Sequence, residues 1–451
     1  MIIRQIRARF SVVASMLVKD HARFKLGPYR SGMILDCGSG HTSILWYSRS
    51  SPKIRQLRRS KLKLQGGGNF KITDIFESHA NSTFVAADFI TRSAQIFADA
   101  LRAEIEEALT VEGIPAPDVI LIGATGGLRN MLGDGRLSQS SVSEFERVLV
   151  SLLQDSSRRS TRFAVITGEQ EAAWELAAAH LIYGPQRQAM FPAPASEQER
   201  KRFGLFSGGG SSMQMVSGSG VPLSFPFSTW CGPEMDEALG AANDAWKDPA
   251  IWARWQSSLV SKIQAAKASL EGGALGGCYV LTAMNHVAAS AAGFAEAPIR
   301  ASEASARLAA ALAQFRAGSG EPFESFVNGG HSMHPTVLAW YSSQPPHHLA
   351  RVGAMHICRL MLVIDALFEP EATLFAPAGT DATGVRLDCE WTLEAFAREV
   401  ADLDSPRRRG WGAVASAVLQ CLRPSGVRDR SKNRKRRPAT SAQPGPGRVQ
   451  V

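Results

Sequence analysis

The chain has 451 residues, of which 45% are hydrophobic and 20% charged, which is ordinary for a globular protein of two or three domains. No apolar run approaches the roughly 18 residues of a membrane-spanning helix, and the six widely spaced cysteines contain no CxxC pair, which excludes a zinc ribbon. The net charge of +9 comes from the two ends, so the mildly acidic body between them is not expected to bind nucleic acid.

The N-terminal extension, residues 1–32, carries seven Lys and Arg against one Asp. An Arg-rich, acid-poor start is typical of transit segments, which would direct the protein to an organelle or the secretory pathway. A solvated extension is the alternative, so the sequence leaves the compartment open.

The folded body begins at residue 33 with two apolar runs that flank a Gly/Ser-rich turn. This pattern predicts two strands joined by a tight turn, whose N–H groups and hydroxyls can hold an anion. Asp36 closes the first strand, where its carboxylate can reach a metal ion or a metal-bound water, or can simply cap the turn. The candidate phosphate ligands that follow are Ser39, Gly40, His41 and Thr42.

Two buried strands are predicted next, at residues 119–122 and 163–166. A glycine-rich turn after the first holds Thr125, which can bind a water of a hydrated cation, and Arg129, which can pair with phosphate or a carboxylate. The second strand leads into a helix predicted at 169–182, whose first turn carries Glu171. The helix dipole alone favours an acid there, but a carboxylate beside bound phosphate can also deprotonate an attacking water.

Residues 204–216 repeat the strand–turn–strand design of the first hairpin about 170 residues later. Gly209, Gly210 and Ser211 are its candidate phosphate-binding residues, and Ser212 and Gln214 could hold the water that Glu171 would activate. One Gly/Ser turn is usually only a turn, so the duplication is the stronger signal. Two such turns facing each other across a cleft would bind a polyphosphate.

The body alternates strands and helices, which predicts an α/β fold. An Ala-rich stretch at 283–317 is expected to be plain helix. The C-terminal tail, 423–451, holds nine Lys and Arg against one Asp and ends in Pro- and Gly-rich sequence, so it is predicted to be disordered. Further helices are predicted at 94–107, 143–153, 251–270, 301–315 and 349–367.

In order and spacing, four segments resemble motifs of the nucleoside triphosphate diphosphohydrolases, the apyrase family of the actin/hexokinase-like superfamily. Residues 36–43 resemble the family's Asp-Ala-Gly-Ser-Ser-His-Thr-Ser, and residues 123–129 its Gly-Ala-Thr-Ala-Gly-Leu-Arg. Residues 166–174 are similar to its Ile-x-Gly-x-x-Glu-Gly run, and residues 207–214 are partly similar to Asp-Leu-Gly-Gly-Ala-Ser-Thr-Gln. Together the four ordered motifs are specific, although each alone is weak.

The resemblance implies two α/β lobes of the actin/hexokinase-like (ribonuclease H-like) fold, with the active site in the cleft between them. The first lobe would hold residues 33–168, with 395–422 as a segment that could return to it, and the second would hold 169–394. The implied activity is the hydrolysis of terminal phosphates of nucleoside tri- or diphosphates by in-line water attack, with Ca²⁺ or Mg²⁺. Base preference and oligomeric state are not implied.

The resemblance also implies roles for single residues. Glu171 would be the general base and Ser212 and Gln214 would hold the nucleophilic water, while Asp36 and Thr125 would organise the cation through water. The two Gly/Ser turns would bind phosphates, with Arg129 and Ser207 in support.

The chain departs from the family's pattern at Ser207, which stands where the fourth motif has an acid, and it lacks a copy of the fifth motif, which contributes to base binding. Two alternatives follow. One is the related exopolyphosphatase and guanosine-pentaphosphate phosphatase family, whose Ile-Ser-Gly-x-Glu-Glu-Ala motif residues 166–172 also resemble. The other is a protein that binds nucleotide without turning it over.

Overall fold

A computed structural model describes fourteen segments of the chain. The chain divides into a larger unit, Met1–Ala401, and a smaller one, Asp402–Val451, of which only residues 402–404 are described. Both basic ends, apart from residues 30–32, lie outside the described residues. The described segments are 30–38, 42–50, 53–63, 70–77, 87–154, 160–184, 190–191, 202–208, 213–220, 222–225, 247–268, 274–317, 346–377 and 391–404.

Within the described segments, the first sheet has five strands in the order β3-β2-β1-β4-β5. Strands β1, β2 and β3 are antiparallel neighbours, as the first predicted hairpin requires, and β1, β4 and β5 run parallel. The parallel strands therefore end at one edge of the sheet. The bounds are β1 Arg30–Cys37, β2 Thr42–Ser50, β3 Lys53–Lys61, β4 Val119–Ala124 and β5 Ser160–Val165.

Among the described residues, four helices cover one face of this sheet, and their apolar side chains share one core with it. Met33 and Trp46 of the sheet lie in this core with Phe97, Leu128 and Phe145 of the helices. The helices are α1 Ile72–Glu77, α2 Ala87–Thr110, α3 Gly126–Gly133 and α4 Gln139–Leu153.

The second sheet repeats this topology. Its order is β10-β11-β9-β6-β7-β8, in which β6, β7 and β8 are antiparallel neighbours and β6, β9 and β11 run parallel. Both lobes thus share the strand order of a ribonuclease H-like fold, and the predicted fold class is confirmed. The bounds are β6 Gly204–Gly208, β7 Met213–Val216, β8 Pro222–Phe225, β9 Cys278–Ala283, β10 Ile299–Arg300 and β11 Thr373–Phe375.

Helices lie on both faces of the second sheet. α5, Gly168–Tyr183, contacts β6, β7 and β8, and the core on the opposite face joins Phe206, Met215 and Leu281 to the other helices. Among the described residues, no helix is both long and apolar enough to cross a membrane. The remaining helices of this lobe are α6 Pro249–Ala268, α7 Met284–Ala291, α8 Ala301–Arg316 and α9 Pro346–Leu367.

The prediction of plain helix over 283–317 is wrong. α7 stops at Ala291, and a turn and the short strand β10 separate it from α8. Gly293 has a φ of 72°, and its N–H and that of Phe294 bond back to the carbonyls of Ser290 and Ala289, which is a Schellman helix end. Alanine is compatible with helix throughout, so the single glycine decides where the helix ends.

A last helix, α10 Trp391–Asp404, packs on the other face of the first sheet. The rings of Tyr47 and Phe396 stack with centroids 5.4 Å apart, and the Tyr47 hydroxyl lies 2.9 Å from Thr392 Oγ1. The chain thus comes back to the first sheet at Trp391. Residues 405–422 of the segment predicted to return lie outside the described residues.

The contact between α10 and β4 predicts a large effect of one methyl group. A Cβ on Gly123 would lie 2.2 Å from Trp391 Cη2, so we expect Gly123→Ala to lower the free energy of unfolding by about 1–3 kcal/mol through overpacking. Urea unfolding of the variant and the parent measures this change in the free energy of unfolding. The control is Gly133→Ala, where a Cβ meets nothing within 4 Å; equal stability of the two variants would contradict the packing.

Candidate functional site

The predicted site residues of the first lobe lie where its parallel strands end. Asp36 is the penultimate residue of β1, and Thr125, which follows β4, donates a hydrogen bond from Oγ1 to Asp36 Oδ1 at 3.1 Å. Backbone bonds fix this edge: Thr125 N–H to Cys37 O at 3.3 Å, and Ile166 N–H to Ala124 O at 2.8 Å. The structure therefore brings the two residues predicted to organise a cation together.

Glu171 lies on the first turn of α5, one turn after the end of β5. The helix begins with a capping box, in which Gln170 N–H donates to Thr167 Oγ1 and Thr167 N–H donates to Gln170 Oε1, each at 3.1 Å. This reciprocal cap fixes the direction of the helix start. It places Glu171 in a buried position, with 9% of the residue exposed.

Arg129 on α3 holds Glu171 from the side of the first lobe. Its Nη1 donates to Glu171 Oε2 at 3.0 Å and to Ile166 O at 2.8 Å. Of the two partners that the sequence left open for Arg129, phosphate or carboxylate, the structure shows the carboxylate. The guanidinium thereby ties the β5–α5 junction to the turn after β4.

Gln214 of β7 reaches the same carboxylate from the second lobe, where its side chain hydrogen-bonds Glu171. Gln214 is itself almost fully buried. Glu171 therefore contacts one residue of each lobe, and the predicted general base and one predicted water-holding residue are neighbours.

The environment of Glu171 tunes its acidity. Burial raises the pKa of Glu171 above its usual value, and the Arg129 guanidinium and the hydrogen bond from Gln214 oppose part of that rise. A carboxylate whose pKa is moved toward neutrality is a stronger base than an ordinary one. That is the direction expected for a general base that works near pH 7.

Ser207 is buried near the end of β6, where its register partners are Gln214 in β7 and Thr282 in β9. In the first sheet, Asp36 occupies the equivalent place, between Ser43 and Gly123. Ser207 therefore places a hydroxyl where the first sheet has the carboxylate of Asp36.

The residue after Ser207 must be small because polar side chains crowd it. A Cβ on Gly208 would lie 2.6 Å from Asn285 Oδ1 and 3.0 Å from Arg359 Nη2. Arg359 lies 3.3 Å from His356 Nδ1, and burial together with the charge of Arg359 holds the pKa of His356 well below its usual value. This buried group could not be predicted from the sequence, since a His-x-x-Arg pair in a helix carries no signal of its partners.

Most of the predicted phosphate ligands are not among the described residues. Thr42 is described: it begins β2, its N–H bonds to Phe70 O at 2.9 Å, and its side chain is fully buried. Ser39, Gly40, His41, Gly209, Gly210 and Ser211 lie outside the described segments, and so does Ser212, the second residue predicted to hold the attacking water.

The oxygen donors at Asp36 and Thr125 suit a hydrated divalent cation. Mg²⁺ commonly keeps several waters and binds through one or two carboxylates plus substrate phosphates, so one carboxylate with an adjacent hydroxyl fits it. A dedicated protein cage is a different arrangement, and the described part of the chain contains no cluster of three His, Cys, Asp or Glu that could form one.

No family model and no curated protein matches the chain. Among solved structures, the Aquifex aeolicus member of the Ppx/GppA protein family is 12% identical, with a TM-score of 0.48 over 84% of this chain and 100% of that one. The nucleoside triphosphate hydrolases from Neospora caninum are 12% identical, with a TM-score of 0.49 over 87% and 96%. An exopolyphosphatase-like protein is 14% identical, with a TM-score of 0.47 over 83% and 100%. At these identities the similarity concerns the fold alone.

Proposed function

We propose that the protein hydrolyses the terminal phosphoanhydride bond of nucleoside tri- and diphosphates by in-line attack of water. The observation that carries the proposal is the buried carboxylate of Glu171, held by Arg129 of one lobe and Gln214 of the other. It lies at the strand ends that also bring Asp36 and Thr125 together. A buried carboxylate that two side chains hold in place can accept the proton of a water that reaches it.

In the proposed reaction Glu171 accepts the proton of the attacking water, while Gln214 and Ser212 orient that water toward the terminal phosphorus. Arg129 keeps one carboxylate oxygen, Oε2, fixed. Asp36 and Thr125 would hold the waters of a Mg²⁺ or Ca²⁺ ion, which supplies charge neutralisation at the phosphate oxygens when bound. Positioning and electrostatic stabilisation supply most of the rate enhancement in reactions of this class.

The direct test is release of inorganic phosphate from ATP, ADP, GDP and UDP with Mg²⁺, with Ca²⁺ and with EDTA. We expect nucleotide hydrolysis that requires a divalent cation. Nucleotide binding without phosphate release would instead indicate a protein that binds nucleotide but does not hydrolyse it. Ser207→Asp would then test whether the missing acid is the reason.

A second substrate class, inorganic polyphosphate, is favoured by the edge strand β3. Arg59 and Lys61 lie on the face of the sheet that carries Asp36, because Lys61 is the register partner of Ser43 and Ser43 that of Asp36. Two strand spacings, about 10 Å, separate Lys61 from Asp36 along this row. Partial burial and the nearby charge of Arg59 lower the pKa of Lys61, so a bound anion would relieve the repulsion.

We expect Lys61→Gln to raise KM for tripolyphosphate about 5–10-fold and KM for ADP less, because the longer anion extends further from Asp36 toward β3. Steady-state kinetics on both substrates measures this. Arg55→Gln is the matched control, since Arg55 is exposed on the same strand and pairs in register with Ser48, far from the site. Equal changes in both KM values would remove the argument for polyphosphate.

A further inference from the structure

The second sheet has a row of three buried polar side chains at the edge nearest Glu171. Gln214, Ser207 and Thr282 are register partners on the adjacent strands β7, β6 and β9. They are 1%, 2% and 5% exposed. The next row on the same face is apolar and consists of Val216, Leu205 and Val280.

All three side chains point to the face that α5 covers. Register partners on neighbouring strands share a face, and the residues between them in sequence, such as Phe206 and Leu281, lie in the core on the opposite face. Cβ atoms of adjacent partners are about 5 Å apart. A single water between the hydroxyls of Ser207 and Thr282 can therefore bond to both.

The surroundings of the Thr282 hydroxyl favour a water at this place. Its Oγ1 is buried and has no hydrogen-bond partner among the described residues. A buried hydroxyl without a partner is costly, and in proteins such groups are normally satisfied by ordered water.

The backbone just after Thr282 is strained. Ala283 has a φ of 53° and a ψ of −126°, a region that a residue with a Cβ seldom adopts, and it is the last residue of β9, directly before the start of α7. Strain of this kind persists where the surroundings enforce it, and it is concentrated at functional sites. Here it lies directly after Thr282, at the point where β9 passes into α7.

The two lobes differ along the corresponding row. In the first sheet the row is Ser43, Asp36 and Gly123, with a carboxylate in the middle and no side chain in the third place. In the second sheet the middle residue is Ser207 and the third is Thr282. The second lobe therefore has two hydroxyls where the first has one charge.

We propose that Thr282 is a positioning residue of the active site, whose hydroxyl, together with that of Ser207, holds a buried water that fixes the Gln214 amide against Glu171. This water takes the structural place of the acid that the family has at Ser207. The kinetic consequence rests on the proposed function, whereas the water itself does not. Loss of the Thr282 hydroxyl would release this water, so that the Gln214 amide is no longer fixed and its hydrogen bond to Glu171 weakens.

The consequence for pH follows from the groups that face Glu171. These are Arg129 from α3, Gln214 from β7 and, one turn further along α5, Glu175. The hydrogen bond from Gln214 lowers the pKa of Glu171, so weakening that bond raises it. The acid limb of the rate profile, where Glu171 loses its proton, then moves to higher pH.

The test compares Thr282→Val, Thr282→Ser and Thr161→Val in the full chain. Thr161 is the matched control because its Oγ1 is also buried without a partner among the described residues, but it lies at the start of β5, away from the site. We expect Thr282→Val to lower kcat about 10-fold with KM unchanged and to shift the acid limb upward. Thr282→Ser should restore both values, and Thr161→Val should change neither. Equal behaviour of the two valine variants would overturn the inference.

A second readout is independent of turnover. A crystal structure should show a water within about 3.2 Å of both Thr282 Oγ1 and Ser207 Oγ, and its absence would overturn the inference whatever the activity. Activity that survives in Glu171→Gln would refute the proposed function alone. If Glu171→Gln loses activity while the separate variant Thr282→Val keeps the parental kcat, only the positioning role is refuted.

Discussion

Glu171→Gln should lower kcat for phosphate release by about 10²–10⁴-fold, the usual contribution of a positioned general base. Glutamine keeps the size of the side chain but replaces one acceptor oxygen with an NH2 donor, and it cannot accept the proton of the attacking water. KM should change little, because Glu171 is assigned to the water and not to the phosphate chain. Single-turnover phosphate release from the best nucleotide substrate measures the effect.

The control for this variant is Glu169→Gln, which removes a carboxylate from the same first turn of α5. Glu169 is exposed, whereas Glu171 is buried between Arg129 and Gln214. The helix dipole favours both acids equally, so a general electrostatic role would show in both variants. A kcat within about threefold of the parent in Glu171→Gln would exclude the general-base role.

The parental pH profile should reflect the same group. Since burial raises the pKa of Glu171, kcat/KM should rise with pH through a value above the usual range of glutamate and reach its plateau once the carboxylate is ionised. In Glu171→Gln the residual rate should lack this limb.

The position of Glu171 in the fold could be predicted from the sequence because its local signals agree. A compact apolar strand, the residues Thr167-Gly168 and a continuous helical pattern after them predict the helix 169–182, and α5 spans Gly168–Tyr183. The two hairpins were equally clear, since each has a glycine-rich turn between apolar runs. Periodicity and capping are local properties, and they suffice for elements of this kind.

Partners across the fold could not be predicted in this way. Arg129 had two chemically reasonable partners, and only the packing of α3 against the β5–α5 junction selects Glu171. Thr282 is the fifth residue of an apolar strand and carries no sign of its function. Only its pairing with Ser207 on the neighbouring strand links Thr282 to the candidate site, and the pairing of distant strands is a tertiary property.

The edge strand β3 was missed for a different reason. Its sequence, KIRQLRRSK, is dominated by basic residues, which are not typical of strands. The strand forms because Arg58 on one face is paired with Glu104 at 2.9 Å and Glu112 at 3.2 Å, while Arg59 and Lys61 lie on the other face. Charges on an edge strand also discourage pairing with other chains.

Arg129→Met should cause the largest loss of stability among the site variants, about 2–4 kcal/mol at pH 7. Methionine fills similar space but leaves the buried carboxylate of Glu171 without its cation and the Ile166 carbonyl without its donor. The control is Arg136→Met, since Arg136 and Asp134 form an exposed pair whose loss should cost below about 1 kcal/mol. Urea unfolding of both variants measures the difference.

The pH dependence separates the ion pair from simple packing. Without Arg129 the pKa of Glu171 in the folded protein rises further above its value in the unfolded chain, so the folded state favours the protonated acid. The stability of Arg129→Met is therefore best preserved below the ordinary glutamate pKa, and the deficit grows as pH rises through the raised pKa of the folded state. The same substitution in a Glu171→Gln background should cost less, because no charge is left unpaired. A deficit that is constant with pH and unchanged in that background would mean that Arg129 acts through packing and its bond to Ile166 alone, and that the carboxylate of Glu171 is not held for catalysis by this pair.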